Sequence, residues 1–157
     1  MCMIALMRLK LRLGNQSAAL DRLTEFAAEF SRVHGLPDDE HHRLSVIFDE
    51  LLTNVATYGY EGAASEGRVE AALSLEGNRL TVEFIDDGRP FDPLTTPQPD
   101  MDLPLAERPI GGIGLAIVRA LVDEISYTRD GNHNHLVLGR TVSRSAGDAG
   151  NEAAQQS

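Results

Sequence analysis

The stretch Ser45–Tyr60, SVIFDELLTNVATYGY, sets the terms for the rest of the chain. Leu44, Phe48, Leu51 and Val55 recur at the i, i+4, i+7 spacing of a helix with one core-facing stripe. Glu50 and Asn54 are four residues apart, so they project from one face, beside that stripe rather than opposite it. A carboxylate and an amide at the edge of a core lose water, which is costly without partners. Either the pair caps or bonds locally, or it belongs to a site. The remaining segments decide between the two.

A chain of 157 residues, 42% hydrophobic and 24% charged, is expected to be one globular domain with a proper core. Its net charge of −10 argues against general nucleic-acid binding, which needs a positive footprint. The same charge permits a basic protein partner, or a nucleotide bound through Mg²⁺. One cysteine, Cys2, excludes an intramolecular disulfide and is compatible with a reducing compartment. No apolar run approaches the ~18 residues of a membrane span, and the opening MCMIALM is too short for a signal-peptide core. A soluble cytoplasmic protein is expected, with no membrane and no nucleic-acid partner.

Met7–Leu13 alternates leucines with Arg8, Lys10 and Arg12, the pattern of a half-buried strand. Its basic face is either simply solvated or meets an acidic partner. Gly14-Asn15 breaks the strand, Ser17 is a plausible N-cap, and Leu20, Leu23, Ala27 and Phe30 stripe a first helix ending near Gly35. Pro37 opens the second helix, and Asp38, Asp39 and Glu40 suit the positive end of its dipole. His41 and His42 lack further ligands at helical spacing and read as surface residues. After a polar loop, Val69–Leu75 and Leu80–Ile85 read as strands joined at Gly77-Asn78. From Leu94 to Ile110 there are four prolines and no periodicity, which suggests a surface loop or a functional lid. A third helix, Leu115–Asp123, and a final hairpin around Asp130-Gly131 complete the order. His133 and His135 share one strand face, with no acid or cysteine near enough in sequence to suggest ligation. The small, polar residues 143–157 are expected to form a disordered tail beyond a domain of residues 7–142. The expected architecture is α+β: a two-layer α/β sandwich with helices on one face of a mixed, mostly antiparallel sheet.

Three polar islands remain: Glu50/Asn54, Asp86-Asp87-Gly88 at a strand end, and Gly112-Ile113-Gly114 before a helix. Singly each is weak. An Asp-x-Gly is usually a turn, and the Rossmann and P-loop patterns are absent. Together they supply the parts of a nucleotide site. Glycines at a helix start let backbone N–H groups approach phosphates, aided by the dipole. A buried carboxylate can accept the amino N–H of adenine. An Asn oxygen can ligate Mg²⁺, and a Glu one turn earlier can orient or deprotonate a nucleophile.

In this combination the chain resembles the GHKL ATPase superfamily (gyrase, a heat-shock chaperone, histidine kinase, MutL). Within it the chain resembles the small bacterial anti-sigma-factor serine/threonine kinases. FDELLTNVATYGY is similar to the N box, VEFIDDGRPFDPL to the first glycine box, and RPIGGIGLAIVRALVDEISY to the second. The resemblance covers about Leu9 to Thr141 and implies a Bergerat-type ATP-binding fold. It also implies roles. Glu50 would be the general base or position the attacking group, and Asn54 would hold Mg²⁺. Asp86 would bind the adenine amino group, with Gly88 leaving room for the ring. Gly112 and Gly114 would hinge the lid and face the phosphates, and Leu115 would start the helix. Asp87 receives no role. Tyr58 departs from the pattern, where many members carry His. The lid's one basic residue is Arg108, so the residue that grips the γ-phosphate stays open. The implied function is an ATP-dependent serine kinase that binds a sigma factor and phosphorylates a STAS-type anti-anti-sigma protein. The alternative is a nucleotide-responsive module that sequesters a partner with little or no turnover. Members of this kind often work as homodimers.

Overall fold

The computed structural model describes residues 5–60, 67–95, 102 and 113–142. The expected tail, Arg108 and all of the expected lid except Leu94, Thr95 and Asp102 lie outside the described residues. The order is β1 (Ala5–Arg12), α1 (Gln16–Val33), α2 (Asp38–Tyr58), β2 (Arg68–Glu76), β3 (Arg79–Asp86), a 3₁₀ turn (Pro93–Thr95), α3 (Ile113–Leu121), β4 (Glu124–Asp130) and β5 (His133–Thr141). Helix α1 starts earlier than expected. Asn15, extended at φ −129°, accepts the Ala18 N–H at 3.1 Å, and Ser17 lies inside the helix. Both residue types cap well, so the one already at the end of the extended segment takes the position. Pro37 precedes α2 without a side-chain cap, and Asp38, Asp39 and Glu40 fill its first turn.

The sheet has the order β1-β2-β3-β5-β4. Every pairing among the described residues is antiparallel, where a mixed sheet was expected. The reason is the helix count between strands. From β1 through α1 and α2 into β2 the chain turns back three times, so β2 returns beside β1 in the opposite sense. Helix α3 alone leads into β4, and the hairpin after it lays β5 against β3.

Odd-numbered residues of β1 and alternate residues of β2, β3 and β5 face the helices, giving a core of Leu11, Val69, Ala71, Leu73, Val82, Phe84 and Leu138 with their neighbours. Phe48 of α2 is fully buried between Phe26 of α1 and Phe84 of β3, with ring centroids 6.2 and 6.3 Å away. Burying one such ring contributes roughly 1.5–3 kcal/mol, and it fixes the rotation of α2. Phe48 faces the core from the same turn as Glu50. Setting Phe48 inward therefore places Glu50 and Asn54 at the margin.

At the other end of α2, Glu40 is fully buried. Arg140 of β5 grips it through two bonds, Nε to Oε2 and Nη2 to Oε1, each 2.9 Å. Arg140 also donates to the Leu121 carbonyl at 2.7 Å, closing the end of α3. The bonds to Glu40 raise the guanidinium's pKa despite burial, so Arg140 stays charged.

Candidate functional site

The C-terminal half of α2, the end of β3 and the starts of α3 and β5 meet at the opposite end of the sandwich from Glu40. Asp86 closes β3, paired in register with Val69 on one side and Asn134 on the other. Its side chain is buried. Oδ1 accepts the Gly88 N–H at 3.0 Å and the Asn134 Nδ2 at 2.9 Å. Burial pushes the carboxyl above the usual range, only partly offset by those two donors and by Arg129. Asp86 is thus a buried acceptor held by neutral donors on one oxygen. It lines a pocket together with Leu51, Asn54, Phe91, Tyr127 and Asn134.

Gly88 has two reasons to be glycine. A Cβ there would meet the Gly59 carbonyl oxygen at 2.8 Å and Asp86 Oδ1 at 2.9 Å. The loop after β3 therefore lies directly on the end of α2. Arg89 ties the contact, its N–H donating to Gly59 O at 2.9 Å and its Nε to Tyr58 O at 2.6 Å. Tyr58, the departure from the family pattern, stacks on Phe91 with centroids 5.2 Å apart.

Glu50 is half-buried, and its carboxylate lies against Gly114 in the first turn of α3, where a Cβ would collide with Oε2. Burial first, and then Asp49, push its pKa up. Glu50 and Gly114, 64 positions apart in sequence, are thus brought together. Leu115, the next residue, is buried in the core, which anchors α3 rather than lining the pocket. Gly112 lies outside the described residues. Asp87 faces away from the pocket's network. Burial raises its pKa, but the Arg68 N–H and the Tyr60 hydroxyl outweigh that and hold it below the usual range.

Sequence reasoning missed Asn134. It is buried and bonded on both ends of its amide. Nδ2 donates to Asp86 and, at 2.8 Å, to the Arg89 carbonyl. Oδ1 accepts from the Tyr127 hydroxyl (2.5 Å), Arg129 Nη1 (3.1 Å) and the Phe91 N–H (3.3 Å). Arg129 also donates to the Gly88 carbonyl at 2.8 Å. Asn134 thereby fixes the Asp86 carboxylate and the loop 88–91 to the β4–β5 hairpin. Arg119 of α3 was missed as well; its Nη2 reaches the Leu94 carbonyl at 3.1 Å, joining α3 to the 3₁₀ turn.

The fold thus brings together an acid at a strand end, an acid and an amide one turn apart on a helix, and a glycine at the next helix start. The sequence pattern of the histidine kinase-like ATPase domain matches residues 14–140, and the chain belongs to that family. The serine/threonine-protein kinase BtrW of Bordetella bronchiseptica is 25% identical over 95 residues, 60% of this chain and 66% of that protein. The anti-sigma F factor of Thermoanaerobacter pseudethanolicus is 24% identical over 111 residues, 71% of this chain and 73% of that protein. The serine-protein kinase RsbW of Bacillus thuringiensis is 25% identical over 100 residues, and 61% of each chain is covered. A solved structure of the RsbU and RsbW domains of a Mycobacterium tuberculosis protein shares the fold, with a TM-score of 0.63 at 19% identity over 90% of this chain and 34% of that one. No helix among the described residues is long and apolar enough to cross a membrane.

Proposed function

We propose that the chain is an ATP-dependent protein serine/threonine kinase that acts as an anti-sigma factor. In one state it would hold a sigma factor; in another it would phosphorylate a serine of a STAS-type anti-anti-sigma protein. The observation that supports it most is Asp86, a buried carboxylate on a pocket wall with its hydrogen bonds from neutral donors gathered on Oδ1. The residues fit a nucleotide with Mg²⁺. The second Asp86 oxygen is an acceptor for an exocyclic amino group, and Phe91, Tyr127 and Leu136 give the pocket an apolar wall for a base. Asn54, which also lines the pocket, would hold the Mg²⁺, and when bound that ion offsets charge on the transferring phosphoryl group.

The chain's own chemistry then falls to Glu50. Its raised pKa brings it nearer to the range in which a carboxylate exchanges protons at neutral pH. Placed against the start of α3, it can accept the proton of an incoming serine hydroxyl or orient that hydroxyl. Gly114, with no Cβ, leaves that space to the carboxylate.

The test pairs calorimetric titration with ATP, with and without Mg²⁺, with transfer of labelled γ-phosphate to a purified STAS-type protein. In Glu50→Gln, binding should stay within about threefold while transfer falls by about 10²–10⁴-fold. If that variant still controls the partner in cells, the sequestering module replaces the kinase. Absence of ATP binding at millimolar concentration removes both readings.

A further inference from the structure

We infer that the outer face of the sheet carries a second binding site, for a short acidic segment of a protein partner, where β1 meets β2. The site is independent of the nucleotide pocket, which lies on the helix side of the sheet.

The register builds it. Residues 8, 10 and 12 of β1 face away from the helices and are exposed. Arg12 stands directly opposite Arg68, and Lys10 opposite Glu70. Like charges directly opposite on one face destabilise an antiparallel pair. The described acids beside them, Glu70 and Asp87, have other partners. Glu70 is taken by Arg8 at 3.1 Å. Asp87, beside them, accepts from the Arg68 backbone N–H and the Tyr60 hydroxyl. Among the described residues, the side chains of Lys10, Arg12 and Arg68 make no hydrogen bond or ion pair. Among the described residues, these three cations thus share one face of the β1–β2 edge in a chain of net charge −10. They line an open groove together with Glu70, half-buried Ile85 and His133.

The shape and charge choose the occupant. A single small anion would leave most of the groove and Ile85 uncovered. A long nucleic acid would run off the patch onto a negatively charged protein and be repelled. An extended peptide repeats its side chains on one face every ~6.6–7 Å, the same repeat that separates Lys10 from Arg12. Two acids at that spacing would meet Lys10 and Arg12, with Arg68 beside Arg12.

The experiment uses the full chain and fluorescently labelled peptides in low salt: an eight-residue Glu-Val repeat and its Gln-Val counterpart. The Glu-Val peptide should bind saturably and the Gln-Val peptide should not. Arg12→Glu should weaken binding at least about tenfold. The same change places an acid opposite Arg68, so its unfolding midpoint should rise by about 1–3 °C. Binding lost while stability rises separates a site from misfolding. Arg12→Gln, which removes one cation without adding an acid, should weaken binding in the same direction. Arg22→Glu, the same charge change on exposed α1, should bind like the parent chain. Three results would overturn the site: unchanged affinity in both Arg12 variants, equal affinity for the Gln-Val peptide, or tighter binding of a single-stranded oligonucleotide than of the Glu-Val peptide.

Discussion

Glu40 and Asp86 are both buried acids facing the helix side of one sheet, at opposite ends of it, and their surroundings could hardly differ more. Both oxygens of Glu40 are engaged by cations: Arg140 through a two-point grip and Arg43 at 3.1 Å. Asp86 receives neutral N–H donors, and on Oδ1. A buried charge needs compensation, and breaking a pair leaves the other member stranded. Glu40 is therefore closed and belongs to the scaffold. Asp86 carries a desolvated charge with acceptor capacity to spare, a configuration that costs stability unless a ligand completes it. The pattern of partners, more than depth of burial, separates structural acid from site acid.

Four substitutions bear on that contrast. Glu40→Ala should lower the unfolding free energy by about 3–5 kcal/mol, read by urea denaturation, because the largely buried Arg140 guanidinium loses both bonds to its carboxylate partner. ATP affinity of the folded fraction should stay near that of the parent chain. Severe loss of affinity with normal stability would erase the distinction between the two ends.

Asp86→Asn should do the reverse, weakening ATP about 100-fold without lowering the unfolding midpoint at neutral pH. The sign follows from the raised pKa of Asp86. The unfolded chain releases this proton at a lower pH than the folded one. Asp86 therefore subtracts stability as pH rises from the ordinary carboxylate range through its raised value. The amide variant should lose that slope.

Asn134→Ala should cost about 1–3 kcal/mol by leaving partners of a buried amide unsatisfied. It also removes a donor that lowers the Asp86 pKa. ATP binding that requires ionised Asp86 should then fail at a higher pH on acidification than in the parent chain, measured by calorimetry across a pH series. An unchanged pH profile would assign Asn134 to packing alone. The smallest effect belongs to Arg43→Ala. Arg43 is about a third exposed and shared with Asp39, so its loss should cost less than about 1 kcal/mol in the same urea experiment.

The contrast was only half legible in the sequence. Helix α2 announces itself through period 3.6, and Glu50, Asn54, Asp86 and Gly88 through local motifs. These are signals carried within a few residues. The partners that give each acid its character are distant. Arg140 lies 100 positions from Glu40, and Asn134 lies 48 from Asp86. Glu40 reads as one more acid in a first turn, a fit to the helix dipole that hides its ion pair. Asn134 sits between two histidines after a turn and reads as the start of a hairpin strand. Only the β3–β5 register places it opposite Asp86. The misplaced cap at Ser17 has a different cause: two good capping residues stood two positions apart, and local propensity does not rank them.

The close approach of Gly88 to Gly59 also sets a spacing. Where the loop after β3 rests on the end of α2, a side chain at Gly88 would need that helix end to move, and Arg89 holds the same end by two bonds. Neither segment can drift alone. Any side chain at position 88 therefore has to displace either the helix end that follows Asn54 or the Asp86 carboxylate itself, so the loop acts as a gauge of the distance between the two.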